Sequence, residues 1–110
     1  MAVNVSALLQ ELSKRANLIA SGQTSPETSA LETILAAADT SDAELLTHLA
    51  HAARAWGDHA AAELLEALAM AVREQSRLTP LDKWIWEPAR LTPAPGGRKQ
   101  KGRWVLVPAT

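Results

Sequence analysis

The apolar pattern of this chain changes period near Arg77, and that break restricts the chain to a helical body followed by an extended end. Upstream, aliphatic residues recur at three- and four-residue steps, the repeat of a helix with one buried face. Downstream, short aromatic and β-branched runs stand between Pro and Gly breakers, the pattern of strands and turns. Charge changes at the same place. Residues 1–76 carry four basic residues against ten acidic ones, a net of −6, and residues 77–110 carry seven against two, a net of +5. Three of the four Trp and five of the six Pro lie in the second part. A chain of 110 residues has room for one domain with one modest core. Phe, Tyr and Cys are absent. Leu, Ile, Val and Trp must therefore fill that core, and disulfides, thiol nucleophiles and Cys-held metals are excluded.

The spacing predicts four helices. The first runs from about Val5 to Ser21, with Val5, Leu8, Leu9, Leu12, Ala16 and Ile19 on its apolar face and Gly22 at its stop. The second begins with Ser25 as N-cap and Pro26 at the first helical position, buries Leu31, Ile34, Leu35 and Ala38, and ends near Ala38. The third opens on a Ser41–Glu44 capping box, lines Leu45, Leu49, Ala52, Ala53 and Trp56 along its core face, and closes at Gly57. Asp58 is the N-cap of the fourth, about His59 to Arg77, with Leu64, Leu65, Leu68, Ala71 and Val72 inward. The two-residue link at Gly57–Asp58 forces the last two helices into an antiparallel hairpin. A tetratricopeptide-like reading of residues 43–75 lacks the bulky residues that repeat requires.

Beyond Leu78, Lys83–Glu87 and Arg103–Val107 read as two strands of an antiparallel ribbon with a long basic tip. Trp84 and Trp86 share one face of the first strand, and Trp104 and Leu106 one face of the second. The expected fold class is mainly α: a small antiparallel bundle of three to four helices over residues 1–78, with a C-terminal β-hairpin or extended arm over 79–110, forming one compact domain. The helical part is expected to be self-sufficient.

Candidate chemistry is sparse. His48 and His51 stand at i, i+3, with Glu44 one turn earlier and Asp58 and His59 past the turn. A zinc site needs three or four converging ligands, and spacing places only the helix pair, so no metal is expected. His59 and Glu63 at i, i+4 have no nucleophile nearby and read as a first-turn ion pair. Gly96-Gly97-Arg98-Lys99 lacks the frame and the Ser/Thr of a phosphate-binding loop. No enzyme activity and no cofactor are expected. The residues suited to contact are Trp84, Trp86, Arg98, Lys99, Lys101, Arg103 and Trp104. The indoles are hot-spot side chains that also serve as core fillers, and the four cations cluster around Gly97 and Gly102.

The run Leu8-Leu9-Gln10-Glu11-Leu12 through Asn17-Leu18-Ile19-Ala20-Ser21-Gly22-Gln23-Thr24-Ser25, followed by a Leu31/Ile34/Leu35/Ala38 helix, resembles short helical segments of tailed-phage virion proteins. The resemblance covers residues 8–38 and implies a capsid, neck or tail component with no catalytic residues. The expected function is a structural or protein-interaction module that binds a protein partner or another copy through its C-terminal ribbon. The alternative is a small nucleic-acid-binding or nucleic-acid-mimicking regulator, such as a phage-encoded inhibitor of a host complex. The first twenty residues lack the pattern of a signal peptide, and no run is long and apolar enough to span a membrane. A cytoplasmic or virion location and no membrane partner are expected.

Overall fold

The computed structural model describes residues 3–23, 26–75, 82–88, 90–91, 99–100 and 102–108. Helix α1 (Val5–Ala20) leads to α2 (Ser29–Leu35), a 3-10 turn (Thr40–Asp42), α3 (Ala43–Ala55) and α4 (His59–Glu74). Strand β1 (Asp82–Glu87) pairs antiparallel with β4 (Arg103–Pro108), and β2 (Arg90–Leu91) pairs antiparallel with β3 (Lys99–Gln100). Both pairings keep one register, so the four strands form a single hairpin. Between the two pairings, the same register sets Pro88 opposite Gly102. The fold is mainly α with a C-terminal antiparallel ribbon, as the sequence implies.

The helix ends follow local chemistry. Asn4 caps α1 by accepting from the Ala7 amide at 3.1 Å, and Asp58 caps α4 by accepting from Ala61 at 3.2 Å. Gly57 has φ of 83°, which a side chain would resist, and it turns the chain so that the Asp58 amide reaches back to the Ala53 carbonyl at 2.9 Å. Two ends differ from expectation. The capping box uses Asp39 and Asp42 instead of Ser41 and Glu44: Asp39 accepts from the Ser41 amide, and Asp42 accepts from the Asp39 amide. Aspartate accepts at the shorter reach of a 3-10 turn. Asp42 also accepts from Val3, tying the start of the chain to this turn. Hydrogen bonds from the Ser41 hydroxyl and amide hold the Asp39 carboxyl below its usual range. The second helix starts at Ser29, after the expected Pro26, because the Pro26 and Glu27 carbonyls are taken by the Arg15 guanidinium. The expected cap, Ser25, lies outside the described residues.

The core joins Leu8 and Leu12 of α1, Leu31 and Leu35 of α2, and Leu46, Ala50 and Ala53 of α3 to the broad inner surface of α4, from Ala61 to Val72. Val5 and Leu9 lie outside it, 41% and 47% exposed, because α1 turns Leu8, Leu12 and Arg15 inward. On α3 the buried stripe keeps the expected Ala53 but otherwise runs through Ala43, Leu46 and Ala50 instead of Leu45, Leu49 and Ala52. Ala50 and Ala53 face the hairpin partner, where Ala61 and Ala62 also lie, and small residues let the two backbones approach closely. That rotation carries Trp56 off the core and leaves it 48% exposed, against expectation.

Arg15 is fully buried, and its ion pair with Asp58 joins α1 to the start of α4. Its Nε donates to Asp58 Oδ2 at 2.8 Å and its Nη2 to Asp58 Oδ1 at 2.9 Å, a two-pronged contact of the geometry carboxylates prefer. Nη1 holds the Pro26 and Glu27 carbonyls. One side chain thus ties together α1, the segment before α2 and the N-terminus of α4.

The ribbon packs onto this body. The Trp84 amide donates to the Ala36 carbonyl at 3.1 Å, and Trp104 Nε1 donates to the Leu64 carbonyl at 2.9 Å. Trp86 and Trp104 are cross-strand partners whose ring centroids lie 5.3 Å apart at a tilt of 56°. The Trp86 indole covers Gly102 so closely that a Cβ there would collide with the ring. We expect Gly102→Ala to lower stability by about 1–3 kcal/mol, the usual cost of overpacking, as read from the urea unfolding midpoint. An unchanged midpoint would show that the indole does not rest on this glycine.

Candidate functional site

Strand alternation divides the ribbon into two chemically distinct faces. Trp84 stands opposite Leu106 and Trp86 opposite Trp104, which sets all four on the face turned to the helices. Trp84 is 4% and Trp104 7% exposed, and Trp86 and Leu106 are half-buried. The opposite face carries the pairs Lys83–Val107, Ile85–Val105 and Glu87–Arg103. Ile85 is 50% exposed, Val105 and Val107 are half-buried, and Lys83 and Arg103 are exposed. Arg103 Nε donates to Glu87 Oε1 at 2.7 Å across the strands, an exposed pair worth at most about 1 kcal/mol. Among the described residues no third strand joins β1 and β4; the outer edge of β1 is engaged at Trp84, whose amide is taken by the Ala36 carbonyl, which leaves β4 with the open backbone edge.

The seven contact residues read from the sequence are therefore split. Trp84 and Trp104 are core side chains and Trp86 is a lid on Gly102, which moves the available surface to the other side of the ribbon. Burial wins for these indoles because α4 offers them a wide apolar surface, and no Phe or Tyr competes for it. Arg103 is on the solvent side. Lys99 belongs to β3. Arg98 and Lys101 lie outside the described residues, as does the expected basic tip. The residue that sequence reasoning missed is Ile85, whose place opposite the two Trp was legible from the alternation alone.

A cleft of about 330 Å³ lies between α4 and the ribbon, with Glu74, Gln75, Trp84 and Trp104 among its walls. Trp84 Nε1 is buried and has no hydrogen-bond partner among the described residues, a cost of about 1–3 kcal/mol. The histidines do not converge: His48, His51 and His59 are all exposed. Among the described residues no three His, Asp or Glu side chains gather as a metal site would require, and no helix is long and apolar enough to cross a membrane. The chain matches no family model, no curated protein and no solved structure.

Proposed function

We propose that this chain is a non-enzymatic interaction module that binds another protein, including a neighbouring copy of itself, through the solvent face of its C-terminal ribbon and the open edge of β4. The observation that carries this reading is Ile85, a large apolar side chain left 50% exposed on a two-stranded ribbon whose other face is already committed to the core. Val105 and Val107 extend the apolar strip, and Lys83 and Arg103 flank it with charge. An exposed strand edge beside apolar side chains is the surface that strand addition uses: backbone groups supply affinity, and alternate side chains supply selectivity. The resemblance of residues 8–38 to virion segments supports a multi-copy viral assembly as the setting.

The test is co-purification from the native source with the wild-type chain and with Ile85→Asp. We expect Ile85→Asp to keep its unfolding free energy within about 0.5 kcal/mol, as exposed substitutions do, and to lose the partner. We also expect the complex to respond weakly to salt. A partner retained by Ile85→Asp would overturn the reading. Nucleic acid released steeply as salt rises, with a slope set by the phosphates neutralised, would favour the alternative of a nucleic-acid-binding regulator.

A further inference from the structure

A groove of about 660 Å³ runs along the α3–α4 hairpin, on helices that form no part of the ribbon. Thr47, His51 and Arg54 line it from α3 at i, i+4 and i+7, and Glu66, Met70 and Arg73 line it from α4 at the same spacing. The helices are antiparallel, so the rows meet in opposite order. Arg73 Nη2 donates to Thr47 Oγ1 at 2.9 Å at one end, and Arg54 pairs with Glu66 at the other. Seven residues of helix separate the two ends by about 10 Å.

The charge gathered here runs against that of its surroundings. Residues 1–76 have a net charge of −6 and only four basic side chains. Arg15 is buried against Asp58, and of the other three, Arg54 and Arg73 both line this groove. Stapling the hairpin does not account for them. The Arg54–Glu66 pair is exposed, 53% and 41% by side chain, and such pairs contribute little, whereas Leu46, Ala50 and Ala53 already bury the hairpin seam. The contact that holds Arg73 is with a neutral hydroxyl, which leaves its charge uncompensated by that partner. Arg73, Arg54 and His51 bring hydrogen-bond donors to the groove, whereas the Thr47 hydroxyl gives its one proton to the Ala43 carbonyl at 2.9 Å, and one carboxylate, Glu66, faces them. Two guanidinium forks with an imidazole suit the oxygens of a phosphate group. Met70, 61% exposed, and the small side chains of Ala55 and Ala69 offer an apolar bed beside the cations.

We infer that the α3–α4 groove is a binding site for a small phosphate ester, its phosphate held by Arg73, Arg54 and His51 and its carbon part resting on Met70. Glu66 is the competitor that an arriving anion must displace from Arg54.

The experiment is a titration of the full-length, isotope-labelled chain with phenyl phosphate at constant ionic strength, followed by amide and side-chain NMR shifts. Inorganic phosphate and chloride serve as parallel arms. We expect saturable shifts confined to residues 47–55 and 66–73, with phenyl phosphate binding tighter than inorganic phosphate and chloride giving no saturation. Arg73→Ala weakens binding about tenfold or more, on the scale of a lost charge-assisted contact, while Glu66→Gln tightens it by removing the competing carboxylate. Met70→Ala reduces the advantage of phenyl phosphate over inorganic phosphate. Both charge variants alter exposed side chains, and their circular dichroism should match that of the parent. Non-saturating shifts, shifts spread over every basic surface residue, undiminished binding by Arg73→Ala, or weaker binding by Glu66→Gln would each overturn the assignment.

Discussion

Asp58→Ala is expected to lower the free energy of unfolding by about 3–5 kcal/mol, a large part of the ~5–15 kcal/mol that holds a domain of this size together. The loss has two sources. The larger is the Arg15 guanidinium, fully buried and deprived of the only carboxylate that it contacts among the described residues. The smaller is the helix cap: Asp58 Oδ1 also accepts from the Ala61 amide, and removing such a cap costs about 1 kcal/mol. Desolvation of the pair offsets much of its attraction, so the penalty arises from breaking the pair one-sidedly. The double variant Arg15→Met/Asp58→Ala removes both charges and fills the site with an apolar chain of similar length. It should be less destabilised than the two single losses added together, by a coupling of about 0.5–3 kcal/mol. Urea denaturation of the four proteins in the cycle measures this directly. A loss below about 1 kcal/mol for Asp58→Ala would mean that water reaches Arg15 and that the site is not closed.

Trp104→Ala is expected to cost about 3–5 kcal/mol, the range for truncating a large buried aromatic. The indole is 7% exposed, touches Trp86 on its own face of the ribbon, and ends on the Leu64 carbonyl in the middle of α4. Trp104→Phe separates the terms: it keeps most of the packing and gives up the hydrogen bond, for about 1 kcal/mol. Removing residues 79–110 would strip both Trp84 and Trp104 from the core together with the Trp84–Ala36 backbone bond. The shortened chain should keep helical signal but lose its cooperative unfolding transition, because the summed loss approaches the whole stability of a domain. A sharp two-state transition in residues 1–78, with Trp104→Ala near neutral, would show that the helices do not depend on the ribbon.

Much of this architecture is legible in the sequence because it rests on local rules. Gly22, Gly57 and Asp58 mark helix boundaries by backbone freedom and capping, and they act where expected. The ribbon strands announce themselves by alternation, and their pairing sets the Trp residues on one face. What escaped was long-range. Arg15 continues the Leu8–Leu12 stripe of α1, yet a charged residue reads as solvent-facing, since its partner lies 43 residues away and only the folded chain brings the two together. The phase of α3 was missed for a different reason. Leu45 and Leu49 outweigh Ala50 in hydrophobicity, but the stripe that meets α4 runs through Leu46, Ala50 and the expected Ala53, and close packing against Ala61 and Ala62 favours the small side chains along it. Trp56 was assigned to the core on the same reasoning. For the candidate site, alternation separates Ile85 from the Trp face, but it cannot say which face meets the helices. That Arg54 and Arg73 line one groove likewise requires knowing which sides of α3 and α4 face it together.

On the proposed mode of binding, the prolines of the ribbon limit how far a guest chain can extend along it. β1 is followed directly by Pro88, and β4 ends on Pro108, so neither backbone offers a donor at those positions. The Trp84 amide on the outer edge of β1 is taken by Ala36, so the usable edge is that of β4, six residues that span about 20 Å. A visiting segment gains a short, fixed measure of pairing and then meets a stop, which suits a defined stoichiometry and opposes runaway stacking of ribbon upon ribbon.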